Sequence, residues 1–296
     1  MSANHEKHPV QTKANKLKAI FQRRNATLIP GTPNALFANV IESLDFETAY
    51  VTGAGIANMH LGAPDIGLVT LSELADHVRA ISDSVSIPLL VDGDTGFGNA
   101  INTYRTVRTI EAAGASGIQL EDQEFPKKCG HFSGKEIIPL NEMVQKIRAA
   151  VDSRTNGDFQ IVARTDAIAV EGLNAAIDRA NAFVEAGADV IFVEAPTSVG
   201  DMARISREIP APQIVNIVHG GKTPALPRTQ LAEMGFAGIL YANAALQSAL
   251  FAVTETLTSL KETGSLDAAK DRLASFEARQ KAVRKFTFDL MEKRYS

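Results

Sequence analysis

The stretch Glu111-Ala112-Ala113-Gly114-Ala115-Ser116-Gly117-Ile118-Gln119-Leu120-Glu121-Asp122 decides the fold. An amphipathic pattern over Ala100–Ala113 stops at Gly114, the residue type that most readily takes the left-handed conformation closing a helix. Gly117–Leu120 is then a short apolar run flanked by glycine, which reads as a buried strand. Two carboxylates follow at once. The same unit recurs where Glu185-Ala186-Gly187-Ala188-Asp189 ends the helical pattern Leu173–Ala186 ahead of a second apolar run at Val190–Glu194.

Outward from these two units, strand-like runs lie at Thr27–Pro30, Thr48–Thr52, Pro88–Asp92, Gln160–Arg164, Gln213–Ile217 and Gly238–Tyr241. Helical patterns such as Ser72–Ser84 and Arg228–Met234 lie between them. Eight strand–helix units in 296 residues predict an α/β protein, a (β/α)8 TIM barrel. The rival, a doubly wound open sheet, lacks support because no glycine-rich dinucleotide fingerprint follows the first strand. The expected layout is a disordered tail over 1–14, the barrel over 15–264 and a helical extension of the same domain over 265–296. In that extension Leu266, Ala269, Leu273, Phe276, Val283, Phe286 and Leu290 recur at three- and four-residue spacing, so Leu266 to Arg294 reads as one long helix. A complete barrel has no place for that apolar stripe, which predicts a subunit interface.

A hydrophobic fraction of 45% can fill a large core, and a net charge of -4 argues against nucleic-acid or membrane-surface partners. A single cysteine excludes an intramolecular disulfide and fits a reducing compartment, and no apolar run approaches a membrane span. The expected address is the cytoplasm.

Six of the eight expected strands end in polar residues: Thr52-Gly53-Ala54-Gly55, Asp92-Gly93-Asp94, Glu121-Asp122, Arg164-Thr165-Asp166, Glu194 and Asn216. Active sites of barrel enzymes sit at that end of the strands, and turn chemistry alone does not produce such convergence. Asp92, Asp94 and Glu121 make a hard-oxygen set suited to Mg2+ or Mn2+ rather than Zn2+. Arg164 matches a carboxylate, and the amides of Thr52–Gly55 offer a second anion seat. Together these predict a small carboxylate substrate passing through an enolate-like anion. After the fourth strand comes Lys127-Lys128-Cys129-Gly130-His131, where two lysines and a histidine flank the lone thiol and favour its reactive form.

These residues resemble the isocitrate lyase/phosphoenolpyruvate mutase superfamily, and within it the short lyases that act on 2-methylisocitrate and 2,3-dimethylmalate. Lys127-Lys128-Cys129-Gly130-His131 resembles the lyase signature, and Asp92-Gly93-Asp94-Thr95-Gly96-Phe97-Gly98 the metal-site strand. Pro64-Asp65-Ile66-Gly67, Glu121-Asp122-Gln123, Ala163-Arg164-Thr165-Asp166-Ala167, Glu194-Ala195 and Asn216-Ile217 also match. The resemblance implies Mg2+ on Asp92 and Asp94, with Asp65 and Glu121 in its water shell. It implies that Thr52, Gly53, Ala54 and Arg164 seat the pyruvate half of the substrate, and that Glu194, Asn216, Ile217 and Val218 line the pocket. Cys129 and Gly130 then close over it on a mobile loop, with Cys129, Lys127, His131, Arg164 and Glu121 as catalytic residues. The implied reaction breaks the C2–C3 bond of a 2-hydroxy acid, and Cys129 protonates the leaving carbanion. An oxaloacetate hydrolase or decarboxylase, or a phosphonate mutase, are the alternatives.

Two positions depart from the methylisocitrate lyase pattern: His219 stands for a glutamate and Gln247 for an arginine. Losing a cation disfavours a tricarboxylate and favours a substituted malate. The resemblance further implies a homotetramer with a C-terminal helix exchanged between subunits and Arg279 approaching an active site.

Overall fold

The computed structural model describes residues 12–128, 130 and 134–296. Eight parallel strands, β1 (Thr27–Thr32), β2 (Ala49–Val51), β3 (Leu89–Asp92), β4 (Gly117–Glu121), β5 (Gln160–Thr165), β6 (Val190–Val193), β7 (Gln213–Asn216) and β8 (Gly238–Tyr241), form a closed barrel in sequence order. The ring closes between β1 and β8, where Thr27 pairs with Gly238 and Pro30 with Tyr241. Every expected run is a strand, with its ends moved by one or two residues.

The helices are α1 (Lys13–Gln22), α2 (Ala35–Ser43), α3 (Gly53–Ile56), α4 (Leu71–Ser84), α5 (Ala100–Ala112), α6 (Leu140–Ser153), α7 (Leu173–Glu185), α8 (Val199–Glu208), α9 (Arg228–Glu233), α10 (Ala244–Thr263), α11 (Phe276–Ala282) and α12 (Lys285–Tyr295). Thr70 and Glu73 form a reciprocal capping box that starts α4. Gly114 and Gly187, both at φ 101°, follow the ends of α5 and α7 as the sequence predicts. α1 begins at Lys13 with Thr12 as its cap, so Thr12, Lys13 and Ala14 belong to the fold and not to the expected tail; residues 1–11 of that tail lie outside the described residues.

The two-residue pleat divides the core into two layers. Val51, Val91, Ile118 and Ile161 face outward against helix residues such as Leu74, Val78, Ile110 and Ile147. Their neighbours Tyr50, Leu90 and Val162 fill the barrel with Ile29, Phe192, Ile214 and Leu240. Leu17, Ile20 and Phe21 of α1 join this inner cluster. A methyl group on Gly117, the first residue of β4, would come 3.1 Å from Leu17, so α1 covers the N-terminal end of the barrel. The opposite end remains for polar groups.

The C-terminal region corrects the expectation of one long helix. After Gly264 come a 3-10 segment (Asp267–Arg272), α11 and α12, separated by an extended Leu273 and by Arg284 at φ 55°. α10 is helical as expected, but no residue along its length is buried.

Candidate active site

Continuing each inner layer by two residues brings the functional side chains to the barrel mouth. Asp92 stands two beyond Leu90, Glu121 beyond Gln119, Arg164 beyond Val162, Glu194 beyond Phe192, and Asn216 beyond Ile214; all five are buried. Asp92 is held from three sides. Gly53 N–H donates to Oδ2 at 3.3 Å, while Asp94 N–H and the Gln119 amide donate to Oδ1 at 3.2 and 3.3 Å. Tyr50 OH donates in turn to Gln119 at 2.7 Å, which fixes that amide. Asp94 takes the left-handed conformation at φ 46°, uncommon outside glycine, which marks the turn leaving β3. A methyl group on Gly53 would sit 3.1 Å from Asp92 and 3.4 Å from Asp94, so the chain passes close to both carboxylates and a side chain there would crowd Asp92.

Lys127 reaches inward to the acidic cluster. Its ammonium pairs with Asp65 and lies 2.7 Å from Asp94 Oδ1. Lys128 Nζ donates to the Gly134 carbonyl. Burial lowers the pKa of Lys127, but Asp94, Glu121, Asp65 and Asp92 together outweigh it and hold the ammonium charged. Burial dominates on the acid side. It pushes Asp94 up to about 6 against the pull of Lys127, and pushes Glu121 well above the usual carboxylate range against that of Arg164. Glu121 Oε1 is buried and accepts no hydrogen bond among the described residues.

Arg164 stacks over the Phe192 ring at 5.1 Å and forks onto Asp166 at 2.9 and 3.1 Å. Glu121 and Glu194 approach it at 3.4 and 3.5 Å. Asp122, next to Glu121, points out of the barrel because of the pleat. There it accepts from Thr165, Asp166 N–H and Arg179, so it is a strut between β4, β5 and α7 and not a member of the site. The loop after β4 is tied at both ends. Glu124 N–H donates to Glu136 and Ile138 N–H to Asp122, both at 2.9 Å. Within it the Gln123 side chain clamps the Lys128 backbone through two hydrogen bonds. Lys135, buried and missed in the sequence reading, joins the Gly130 carbonyl at 2.6 Å to Asp166. Gly130 is buried, and a methyl group there would come 2.4 Å from Arg164 and 2.8 Å from Glu194. Gly130 itself is thus packed onto the barrel mouth. Cys129 and His131 lie outside the described residues.

The remaining expected residues divide. Thr52 Oγ1 caps α3 by accepting from Gly55 N–H, and the Gly53 amide faces Asp92, so two of the anticipated anion donors already serve the protein's own groups. Ala54 and Val218 are half-buried and Ile217 buried nearby. His219 and Gln247 share one cavity of about 460 Å3 with Ile217, Val218, Thr223 and Asn243. Buried oxygens of Thr223 and Asn243 in this cavity, and of Asn216 at the end of β7, take no hydrogen bond among the described residues. Arg279 is exposed and lies over Phe276, 5.0 Å from the ring centre.

The donor set fits a hard divalent cation. Asp65, Asp92, Asp94, Glu121, Asp166 and Glu194 face three described cations, Lys127, Lys135 and Arg164, which leaves three negative charges in a largely buried volume. Such an excess demands protons or a metal. Among the described residues no three acidic, histidine or cysteine side chains converge on one point. Mg2+ does not require it, being commonly held by one or two carboxylates with water completing an octahedron.

A closed parallel barrel with this acidic cluster at its mouth defines a class of metabolic enzymes, and the chain belongs to the phosphoenolpyruvate phosphomutase family, whose model matches residues 17–261. Among its relatives is the 2,3-dimethylmalate lyase of Eubacterium barkeri, 43% identical over 89% of this chain and 91% of the relative. The 2-methylisocitrate lyase of Aeropyrum pernix is 42% identical over 90% of this chain and 86% of its own. Among solved structures, a phosphonopyruvate hydrolase in complex with oxalate and Mg2+ matches with a TM-score of 0.87 and 29% identity, over 96% of this chain and 99% of that one. The chain is thus an enzyme whose near relatives are named lyases. Among its described residues no helix is long and apolar enough to cross a membrane.

Proposed function

We propose that the protein is a Mg2+-dependent carbon–carbon lyase that cleaves a 2-hydroxy dicarboxylate of the substituted-malate type to pyruvate and a carboxylic acid. The observation that carries this reading is the surplus of buried carboxylate beside Arg164, with Gly130 packed onto Arg164 and Glu194. Asp92 and Asp94 would hold the metal, with Asp65 and Glu121 placed to accept from water bound to it. The metal, when bound, polarises the 2-oxygen and the adjoining carboxylate of the substrate. Thr52, Gly53, Ala54 and Arg164 position that carboxylate, and Glu121 in its ionised form takes the proton of the 2-hydroxyl, its raised pKa making the carboxylate a stronger base. As the C2–C3 bond breaks, its electron pair passes to C3 and the C2–O bond becomes the carbonyl of pyruvate. Cys129 gives its proton to C3. Lys127 steadies the acidic cluster, and the closed loop, carrying Cys129, Gly130 and His131, excludes water from the carbanion.

The far end of the substrate lies toward Asn216, Ile217, Val218, His219 and Gln247. Among the described residues no lysine or arginine lines that cavity, which favours an uncharged substituent over a third carboxylate. The working unit is a homotetramer. A pyruvate-release assay with Mg2+ over 2,3-dimethylmalate, 2-methylisocitrate, isocitrate, oxaloacetate and phosphonopyruvate tests the reading. The expected preference is 2,3-dimethylmalate, whereas release of oxalate and acetate from oxaloacetate alone would make the protein a hydrolase.

A further inference from the structure

A second cavity, of about 640 Å3, lies outside the barrel mouth between the segment before α4, the turn after β3 and the start of α6. None of Asp92, Arg164, Glu194 or Asn216 lines it. Its volume is in the range of small-molecule sites. Leu68, Val69, Phe97 and Phe125 supply apolar wall, and Leu68 and Phe125 remain 50% and 66% exposed. Phe97 holds a left-handed backbone at φ 58°, a rare conformation for a bulky residue and one that tends to persist at ligand sites.

The lining also contains Lys146. It lies on the inner face of α6 between Met143, Ile147 and Ala150 and is only 3% exposed. Among the described residues it makes no hydrogen bond and no ion pair at contact distance, unlike the buried Lys127 and Lys135. A lysine this buried with no partner at contact distance is unusual, because an ammonium withdrawn from water is ordinarily paired. Burial lowers its pKa, and the more distant charges of Glu142, Glu121 and Asp122 partly offset that.

We propose that this cavity binds a small amphipathic monocarboxylate, its carboxylate on the Lys146 ammonium and its hydrocarbon part against Leu68, Val69, Phe97 and Phe125. One ammonium supplies one counter-charge. The carboxylates of Glu124 and Glu142 on the same walls repel a second anionic group, so a phosphate or dicarboxylate fits less well. The site is separate from the catalytic centre, and its occupation does not depend on which reaction that centre performs.

Titration calorimetry of the full-length protein with hexanoate tests this. Saturable binding is expected, weakened about tenfold or more in Lys146→Met, the range set by a charge-assisted hydrogen bond. Leu68→Asp should also weaken it and Glu142→Gln should tighten it, a pattern of opposite signs that binding in the barrel mouth would not give. Hexan-1-ol should not distinguish wild type from Lys146→Met. The melting temperature of Lys146→Met should equal or exceed that of wild type, since methionine keeps the stem and removes the buried charge. No saturable binding, hexanoate affinity unchanged in Lys146→Met, or a clear loss of thermal stability in that variant would each overturn the proposal.

Discussion

At Gly130 one methyl group decides whether the site closes. Built onto the backbone it would fall 2.4 Å from Arg164 and within 3 Å of two Glu194 atoms, none able to retreat into the packed barrel. Gly130→Ala should therefore fold normally but hold the loop off the mouth, lowering kcat on the order of a hundredfold, as displacements of about 1 Å do. Wild-type turnover would show that the loop does not carry the chemistry. Asp94 makes a second residue-scale prediction. Burial raises it from 3.8 to about 6, so between those values the folded chain binds more protons than the unfolded one. Metal-free protein consequently loses this contribution to stability as pH rises through that window. Mg2+ competes with the same proton, so its affinity should rise with pH up to about 6 and then level off, and Asp94→Asn should flatten the dependence in calorimetry. Much of this scale was legible in the sequence: Asp92, Glu121, Arg164, Glu194 and Asn216 stand at strand ends, where the pleat turns them inward. Gln119 was legible in principle, two residues before Glu121 on the same face, but a lone amide in an apolar run carries no chemical signature. Lys135 was not legible, because its partners Gly130 and Asp166 meet it only through the folding of the loop.

Among elements, the loop between β4 and α6 and the C-terminal helices behave differently from their sequence patterns. In the loop, Cys129 is the proton donor of the proposed reaction. Cys129→Ser should retain Mg2+ binding and lose roughly 10²–10⁴-fold in turnover, the usual contribution of general acid catalysis. A Ser variant near wild type would favour the hydrolase reading. The turn after β7 and the start of α10 set the other wall, and there His219 and Gln247 face one cavity, so the two departures from the methylisocitrate lyase pattern are spatially one. Gln247→Arg adds a cation to it. The kcat/KM for 2-methylisocitrate relative to 2,3-dimethylmalate should rise about tenfold, the value of one charge-assisted contact, and an unchanged ratio would remove Gln247 from specificity. The broken C-terminal helix shows why element boundaries were only half readable. Ser275 caps α11 by accepting from Ala278 N–H, and a serine before an acidic first turn is a readable start signal. The break at Arg284 has neither glycine nor proline to announce it.

For the whole molecule, eight alternating units and glycine stops were enough to read the barrel, because the strands are short and mostly apolar, and six of the eight are buried throughout. What single-chain periodicity could not settle is where the last helices pack. α10 has no buried residue, and Leu250, Phe251, Val253 and Leu257 along it are 54% to 70% exposed. Phe276, Phe286 and Phe288 on α11 and α12 are 64% to 74% exposed. Only Ala269 of the anticipated apolar stripe is buried, and the tie to the chain's own barrel is slight: Asn39 donates to the Ala282 carbonyl, and Arg284 pairs with Glu42. An apolar surface running over three helices exceeds what a monomer ordinarily leaves in water. Closed symmetric assembly is the common way to cover it. The expected state is a homotetramer of about 127 kDa, four times the 31.7 kDa chain, with α10 to α12 packed on neighbouring barrels. A chain ending at Gly264 keeps the barrel and α10 but leaves the partner uncovered, so it should be smaller by light scattering and inactive, or aggregate. Exchanging Phe251 and Phe286 for Glu should dissociate the assembly while the barrel stays folded by circular dichroism. A fully active monomer of the intact chain at micromolar concentration would show that these helices serve only their own subunit.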